Sequence, residues 1–370
     1  MSRQLEFLLC KIHQRKHCVL VGNATAGLFL ALKVHDVAGK KVVIPNGVCP
    51  NVPLSIYLAG AIPIYIDVSK DNLGLSLEAL KAIPEVAAII AVHSYGMPCE
   101  MMKLEAYCAQ EGIVIIEDMA AAQGAKINIR PVGSFGSISV VSFGAGKIVD
   151  VGNGGAVLTD DIGIYRAIKS LESKLPDCKD EFLKDISEVS SYHTKLYNDI
   201  YLKGQYNELP NLFKQRMLAT GSSFLYRFVS RDAKDIHLKL QDLSTLIKKR
   251  KKNIFILYEK LNGLENIGIH LFDFPGGSVP WRFNLLIDNN RDRLLNWLLI
   301  EQLKISSWYP SVDLFFESRS QSLVETPICD DISSRILNIW INETIEESYL
   351  STISGRIIEL CSPDLEAFHS

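Results

Sequence analysis

The stretch GIVIIEDMAAAQGAKINIRPVGSFGSISVVSFGAGKIVDVGNGGAVLT, residues Gly112–Thr159, decides the fold of this chain. Asp118 follows the apolar run Ile113–Ile116, and Lys147 comes a few residues after a second such run, Ile138–Val141. Runs that are apolar on both faces are typical of strands buried in a parallel sheet. Because ligands bind outside the carboxyl ends of such strands, we expect this acid and this lysine to meet at one edge of an open sheet.

The composition is typical of a globular protein. The chain has 370 residues, of which 48% are hydrophobic and 22% charged, so it can bury a sizeable core. A net charge of −3 gives no case for a nucleic-acid partner. The eight cysteines show no C-x-x-C pairing, and the apolar runs are too short for a membrane span. With no signal peptide recognised, these features predict a cytosolic protein with reduced thiols and no metal site.

Strands and helices alternate through the first 160 residues, which predicts a mostly parallel sheet flanked by helices, an α/β fold. The candidate strands are Val42–Pro45, Pro63–Asp67, Ala87–His93, Ile113–Glu117, Ile138–Phe143 and Ala156–Thr159. The candidate helices between them are Thr25–Val34, Leu75–Ala82 and Glu100–Gln110.

The second half of the chain has a different pattern. Helical periodicity dominates from Ile162 to Phe228, and Asp232–Leu261 is predicted to form one long helix. The remainder predicts an α+β cap, with a strand at Phe283–Ile287 and helices at Asp292–Gln302 and Thr344–Leu360. We therefore expect a large domain at 1–230, including a helical section at 163–220, and a smaller C-terminal domain at 231–370.

The lysine and the acid suit pyridoxal phosphate (PLP). A PLP enzyme needs a lysine that holds the cofactor, a carboxylate at the pyridine nitrogen and a phosphate site. Lys147, in the small-residue stretch Gly144–Lys147, is the candidate for holding the cofactor and for moving the substrate proton. Asp118 is the candidate for keeping the pyridine nitrogen protonated. A lone loop lysine is usually solvated and an acid after a strand is often a helix cap, but their combination favours the cofactor.

The phosphate site is predicted at a helix N-terminus. The turn before the apolar helix that starts near Ala24 and Thr25 offers free backbone N–H groups and a hydroxyl. Ser142, five residues before Lys147, adds a second hydroxyl. Many helices start in this way, so the turn alone is weak evidence.

Seven segments of the chain follow the order of a known family. They are Asn23–Ala26, His93–Pro98, Glu117–Asp118, Val132–Ser134, Ser142–Phe143, Lys147 and Gly152–Gly155. In these segments the chain resembles the DegT/StrS family of PLP-dependent sugar aminotransferases, which have the aspartate-aminotransferase fold (fold type I). The resemblance continues more loosely through Arg250 and through Trp308–Pro310.

The resemblance implies an enzyme that moves an amino group from an amino acid, typically L-glutamate, onto a keto-sugar attached to a nucleotide. Such a product would serve surface polysaccharide or a glycosylated natural product. Lys147 would hold PLP, Asp118 would pair with its ring nitrogen, and Thr25 and Ser142 would hold its phosphate. The family forms homodimers with shared active sites, which implies that Arg227 reaches the partner's site.

Three positions depart from the family pattern. Ala121 stands where relatives carry the glutamine or histidine that packs against the cofactor ring, and it is the predicted ring contact here. Leu225 stands where relatives send an asparagine to the partner's phosphate, and Cys49 replaces an aromatic residue. These changes bear on the substrate more than on the cofactor.

Two other functions stay open from the sequence. The first is PLP chemistry without transamination, such as a sugar dehydration, although relatives of that kind replace the lysine at Lys147 by histidine. The second is a PLP-bearing regulator that has lost turnover, which Ala121 and Leu225 leave possible. A nucleotide-dependent dehydrogenase is disfavoured because no G-x-G-x-x-G follows a strand.

Overall fold

The computed structural model describes residues 1–203, 209–317 and 324–362. Nine strands lie in the first half of the chain, and the seven longer ones are mostly apolar and buried, as strands inside a sheet are. The nine strands are β1 His17–Val21, β2 Lys41–Pro45, β3 Ile62–Ile66, β4 Val86–Val92, β5 Val114–Asp118, β6 Lys126–Ile127, β7 Arg130–Pro131, β8 Ile138–Ser142 and β9 Gly155–Thr159.

Seven of these strands form one sheet in the order β1-β9-β8-β5-β4-β2-β3. The five strands β8, β5, β4, β2 and β3 are parallel, whereas β9 runs antiparallel to β8 and β1. Asp118 at the end of β5 pairs in register with Val140 of β8, two residues before Ser142. The carboxyl ends of β5 and β8 therefore meet at one edge, as the sequence predicted.

Fourteen helices are described. In the first half they are α1 Ser2–His13, α2 Ala24–Val34, α3 Asn51–Leu58, α4 Leu77–Lys81 and α5 Met101–Glu111. Those that follow are α6 Ile162–Glu172, α7 Asp180–Lys203, α8 Leu209–Thr220, α9 Ala233–Gln241, α10 Leu243–Leu261, α11 Arg291–Ile300, α12 Asp313–Phe316, α13 Pro327–Arg335 and α14 Glu347–Cys361. No helix in these ranges combines the length and apolarity that crossing a membrane requires.

A second sheet is built from the C-terminal part of the chain. Its strands are β10 Ile269–Leu271, β11 Phe283–Ile287, β12 Ile305–Ser306 and β13 Ile336–Ile339. They are all antiparallel, in the order β10-β11-β13-β12. One continuous apolar cluster joins the large sheet to this part, from Val140 to Phe283 and Ile357.

The structure confirms that the chain is mainly helical after residue 160, but one of the predicted helices is wrong. Helices α6, α7 and α8 occupy the predicted helical section, of which residues 204–208 lie outside the described part. The single long helix predicted for Asp232–Leu261 is wrong, because the chain breaks at Asp242 into α9 and α10. Aspartate competes for backbone hydrogen bonds and favours helix ends. Helix α1 and strand β1 were not among the predicted elements.

Candidate active site

A cavity of about 400 Å³ opens at the carboxyl edge of the large sheet. Lys147, Asp118, Ala24, Thr25 and Ser142 all line it, so five of the six predicted site residues lie together. The other wall comes from the C-terminal part and from the helical section. The additional lining residues used below are Cys49, Ala120, Leu183, Ile186, Trp281, Arg282 and Tyr309.

Asp118 presents a buried carboxylate to this cavity. Asp118 is only 4% exposed, and its Oδ1 accepts a hydrogen bond from the Ala120 N–H at 2.9 Å. Burial raises the pKa of Asp118, while the Ala120 N–H and the positive charge of Lys147 act in the opposite direction. A cationic group placed in the cavity would favour the ionised form of this carboxylate.

Glu117 points the other way, as adjacent residues of a strand must. Its two carboxylate oxygens accept hydrogen bonds from the backbone N–H groups of Gly133 at 2.6 Å and Phe135 at 2.9 Å. His93 Nδ1 accepts from the Cys99 N–H at 3.0 Å, so its proton lies on Nε2, which donates to Glu117 at 2.9 Å. Glu117 thus fixes the segment from Gly133 to Phe135, and His93 fixes the backbone at Cys99. Neither Glu117 nor His93 lines the cavity.

The loop that carries Lys147 is shaped by one carboxylate. Asp150 accepts hydrogen bonds from the Gly146 N–H at 2.7 Å and from the Gly152 N–H at 2.8 Å. Both glycines have positive φ, at 77° and 83°, which disfavours any other residue. Trp281 Nε1 donates to the Gly146 carbonyl at 2.7 Å, and Lys147 Nζ lies 5.4 Å from the centroid of the Trp281 ring. The lysine therefore projects along an aromatic wall.

The N-terminus of α2 forms another side of the cavity. The Asn23 side chain caps this helix, and Thr25 and Ser142 are both nearly buried against the cavity. A Cβ on Gly155 would lie 2.9 Å from the Asn23 carbonyl carbon and 3.0 Å from the Ala24 nitrogen, so only glycine lets β9 start here. The free N–H groups of a helix N-terminus and two hydroxyls are suited to a phosphate.

Ala121 does not line the cavity. It is buried in an apolar cluster with Tyr95, Trp281 and Tyr309, and Ala120 occupies the cavity wall instead. The turn after Asp118 brings Ala120 to the wall and leaves Ala121 packed among the aromatic rings. Its predicted contact with a cofactor ring is not tested by this placement.

The three other singled-out residues separate in the structure. Cys49 lines the cavity, where burial raises the pKa of its thiol and the charge of Lys147 lowers it. Arg227 is half-buried, away from the lining, and forms an ion pair with Asp177. Leu225 is also half-buried and outside the lining.

Sequence reasoning missed Trp281 and Arg282 on the wall opposite the sheet edge. Trp281 and Arg282 enter the cavity from the start of β11, and Trp281 stacks on Tyr309 with ring centroids 5.8 Å apart. Tryptophan is ordinarily a core or interface residue, so no sequence signal marked it. Leu183 and Ile186 of α7 also line the cavity, which shows that the helical section covers it.

A second cavity of about 310 Å³ lies beyond the Lys147 loop and shares Lys147, Trp281 and Arg282 with the first. Arg250 lines it and is almost fully buried. Its guanidinium donates to the Trp281 carbonyl at 2.9 Å and to the Lys147 carbonyl at 3.4 Å. Arg250 therefore ties the two walls of the first cavity together.

The sequence matches a family of known proteins. The profile of the DegT/DnrJ/EryC1/StrS aminotransferase family matches residues 1–357. The chain is 33% identical over 164 residues to L-glutamine:2-deoxy-scyllo-inosose aminotransferase of Streptomyces kanamyceticus, covering 44% of this chain and 38% of that protein. It is 32% identical over 158 residues to GDP-perosamine synthase of Vibrio cholerae, covering 42% of this chain and 43% of that protein. The matched segment thus spans less than half the length of these curated relatives.

The fold has solved counterparts. The crystal structure of DesI in the presence of its TDP-sugar product superposes with a TM-score of 0.78 at 22% identity, covering 99% of this chain and 86% of that one. A likeness at this identity shows the fold alone. It confirms the predicted PLP-dependent transferase architecture, with a mostly parallel sheet flanked by helices.

Proposed function

Since the chain belongs to the DegT/DnrJ/EryC1/StrS aminotransferase family, whose members depend on PLP, we propose that it is a sugar aminotransferase. It moves an amino group from an amino acid, L-glutamate in the first instance, to a keto-sugar attached to a nucleotide. The observation that carries this proposal is that Lys147, Asp118 and the N-terminus of α2 line one cavity.

The residues fit the cofactor one by one. Lys147 would hold the cofactor through its amine and, once released by the donor, would move the substrate proton. Asp118 would pair with the pyridine nitrogen, and Ala24, Thr25 and Ser142 would hold the phosphate. When bound, PLP supplies an electron sink for the electrons of the broken substrate bond.

The electrostatics of the cavity support these roles. Asp118 is buried, so its pKa is raised, and a protonated ring nitrogen against it would favour ionisation of the carboxylate. Trp281 and Tyr309 form an apolar wall that limits the water around Lys147. A low-dielectric setting strengthens the interaction of Asp118 with a cationic partner.

The acceptor class is supported by the relatives' names. One relative is named for GDP-perosamine, and one structural neighbour was crystallised with its TDP-sugar product. The relative from Streptomyces kanamyceticus is named for L-glutamine, so glutamine is the second donor to test. A product for surface polysaccharide or a glycosylated natural product and a cytosolic location stay predictions.

We also infer two domains, 1–230 and 231–370, and a homodimer with shared active sites in which Arg227 reaches the partner's site. The first inference is supported by the two separate sheets, the second by the family. Mixing the Lys147→Ala and Arg227→Ala variants tests shared sites. Activity should return in mixed dimers, and its absence in verified heterodimers would contradict the role of Arg227 across the interface.

The spectrum of the purified protein tests the function. With PLP added, an absorbance band of the lysine-bound cofactor should appear, and L-glutamate or L-glutamine should convert it to the pyridoxamine form. A matched sample with a D-amino acid controls for slow chemistry in solution. A band that ignores every L-amino acid would contradict transamination, and the absence of any band would contradict the cofactor site.

A further inference from the structure

Arg282 occupies an unusual position at the junction of the two cavities. It immediately precedes Phe283, the first residue of β11, and is only 7% exposed. Its guanidinium carbon lies over the rings of Trp281 and Trp340, 4.1 Å and 4.2 Å from their centroids. Two indole rings thus lie against the cation, and its N–H groups supply its polar contacts.

Four buried arginines are described, and three of them have a carboxylate within 4.0 Å. Arg15 pairs with Asp160 at 2.9 Å, Arg250 with Glu343 at 3.8 Å and Arg291 with Asp292 at 2.7 Å. Within the described part of the chain, Arg282 has no such carboxylate and one hydrogen bond, from Nη1 to Ser306 Oγ. Burial lowers the pKa of Arg282 to about 10, which still leaves it charged at neutral pH.

A buried cation without an anionic partner is costly unless a ligand supplies the anion. Arg282 lines both cavities. It also lies close to the chemistry: Lys147 Nζ is 5.4 Å and the Arg282 guanidinium carbon 4.1 Å from the same Trp281 centroid, so the two groups are within 9.5 Å of each other.

The charged side chains of the first cavity indicate what kind of ligand Arg282 binds. Among its described lining residues the charged side chains are Lys147, Arg282 and Asp118. The proposed function assigns Lys147 and Asp118 to the cofactor, which leaves Arg282 as the cation for a substrate. A planar guanidinium matches a planar carboxylate in a two-point hydrogen bond.

We propose that Arg282 binds the α-carboxylate of the amino-acid donor while the donor's amino group lies at Lys147. This inference rests on the proposed function and adds to it the residue that distinguishes an amino acid from a simple amine. The same guanidinium edge also suits a diphosphate, the other anion that the reaction would bring. A diphosphate carries more charge than the single cation left in this cavity neutralises, so the carboxylate is favoured.

The test compares wild type with Arg282→Gln and, as matched control, with Arg282→Lys, which keeps the charge and loses the planar fork. Loss of the cofactor band is followed in single turnovers with L-glutamate, L-glutamine and 4-aminobutyrate. 4-Aminobutyrate lacks the α-carboxylate of glutamate and keeps its other carboxylate. The cofactor band and the melting temperature of each variant establish that it is folded and loaded.

For Arg282→Gln we expect the second-order rate constant with both amino acids to fall by about 10- to 100-fold. The rate with 4-aminobutyrate should be unchanged, and Arg282→Lys should fall between wild type and Arg282→Gln. A second readout is binding alone: 2-oxoglutarate should raise the melting temperature of the wild-type PLP form and have little effect on that of Arg282→Gln.

Three results would overturn the proposal. They are amino-acid rates unchanged in Arg282→Gln, an equal loss with 4-aminobutyrate, and a loss confined to the half-reaction with the nucleotide-linked sugar, which would assign the residue to the diphosphate. If the wild-type band ignores all amino acids, the proposed function fails. The shift with 2-oxoglutarate then still decides whether Arg282 binds a carboxylate.

Discussion

The two walls of the cavity are built in different ways. The wall at the sheet edge consists of Asp118, Ser142 and the start of α2, which parallel strand pairing and a helix cap bring together. The opposite wall consists of Trp281 and Arg282, which reach the cavity from a separate antiparallel sheet. The first wall matches the chemistry of the cofactor, and the second faces whatever reacts with it. We therefore expect changes in the first wall to remove chemistry and changes in the second to alter substrate choice and stability.

Replacing Lys147 by alanine should have the largest effect. Without its amine, the cofactor band of the lysine-bound form should be absent and the amino-transfer rate should fall by at least about 10²- to 10⁴-fold, the share that a positioned acid–base group supplies. Absorbance spectroscopy and turnover with L-glutamate measure both. Lys239→Ala is the matched control, since Lys239 lines only the second cavity and donates to the Asp150 carbonyl. A normal cofactor band in Lys147→Ala would contradict the assignment of the cofactor to the wall at the sheet edge.

Replacing Asp118 by asparagine should come next. The amide is of similar size but carries no charge, so it cannot stabilise a protonated ring nitrogen, and we expect a loss of about 10²- to 10³-fold in the donor half-reaction. Single-turnover absorbance with L-glutamate measures this loss, and PLP titration should show weaker binding. Glu117→Gln is the comparison, because Glu117 lies outside the cavity and should act through stability. Equal rates for wild type and Asp118→Asn would contradict the assigned role.

The second wall should respond more weakly. Trp281→Phe removes the hydrogen bond from Nε1 to the Gly146 carbonyl while keeping an aromatic face, so we expect a loss of about 1 kcal/mol in the free energy of unfolding. The cofactor band should persist, which denaturant unfolding and absorbance together would establish. Trp340→Phe is the matched control, since the Trp340 ring also lies against the Arg282 guanidinium. Loss of the cofactor band in Trp281→Phe would contradict the expectation that the second wall is not needed to bind the cofactor.

The smallest effect concerns the cofactor-free protein. Burial raises the pKa of Asp118 in the folded chain, so its stabilising contribution is complete below the unfolded pKa and is lost as pH rises through the folded value. Asp118→Asn removes this titration. The melting temperature of Asp118→Asn relative to wild type should therefore increase by a few degrees as pH rises from acid to neutral. A constant difference across that range would show that burial of Asp118 carries no such cost.

The contrast between the walls also explains what the sequence predicts. The sheet edge follows from local patterns, because the apolar runs ending near Asp118 and Ser142 pair in parallel and leave their carboxyl ends together. The second wall depends on contacts between residues about 135 positions apart, such as Trp281 with Gly146. No periodicity in the sequence encodes such a pairing.

Local details set the other limits of prediction. The resemblance to the family predicts Ala121 as the contact of the cofactor ring, whereas the residue that lines the cavity after β5 is Ala120, so the predicted contact stays a prediction. The break at Asp242 interrupts a helical pattern that is continuous in its apolar positions. Both are turns of one or two residues, where the backbone direction depends on what packs against it.

The most direct measurement is the position of the cofactor on the chain. The protein is loaded with PLP, reduced with borohydride to fix the cofactor to its lysine, digested and sequenced by mass spectrometry. We predict a single pyridoxyl group, on Lys147. A pyridoxyl group on another lysine, or on none, would contradict the claim that the edge of the large sheet holds the cofactor.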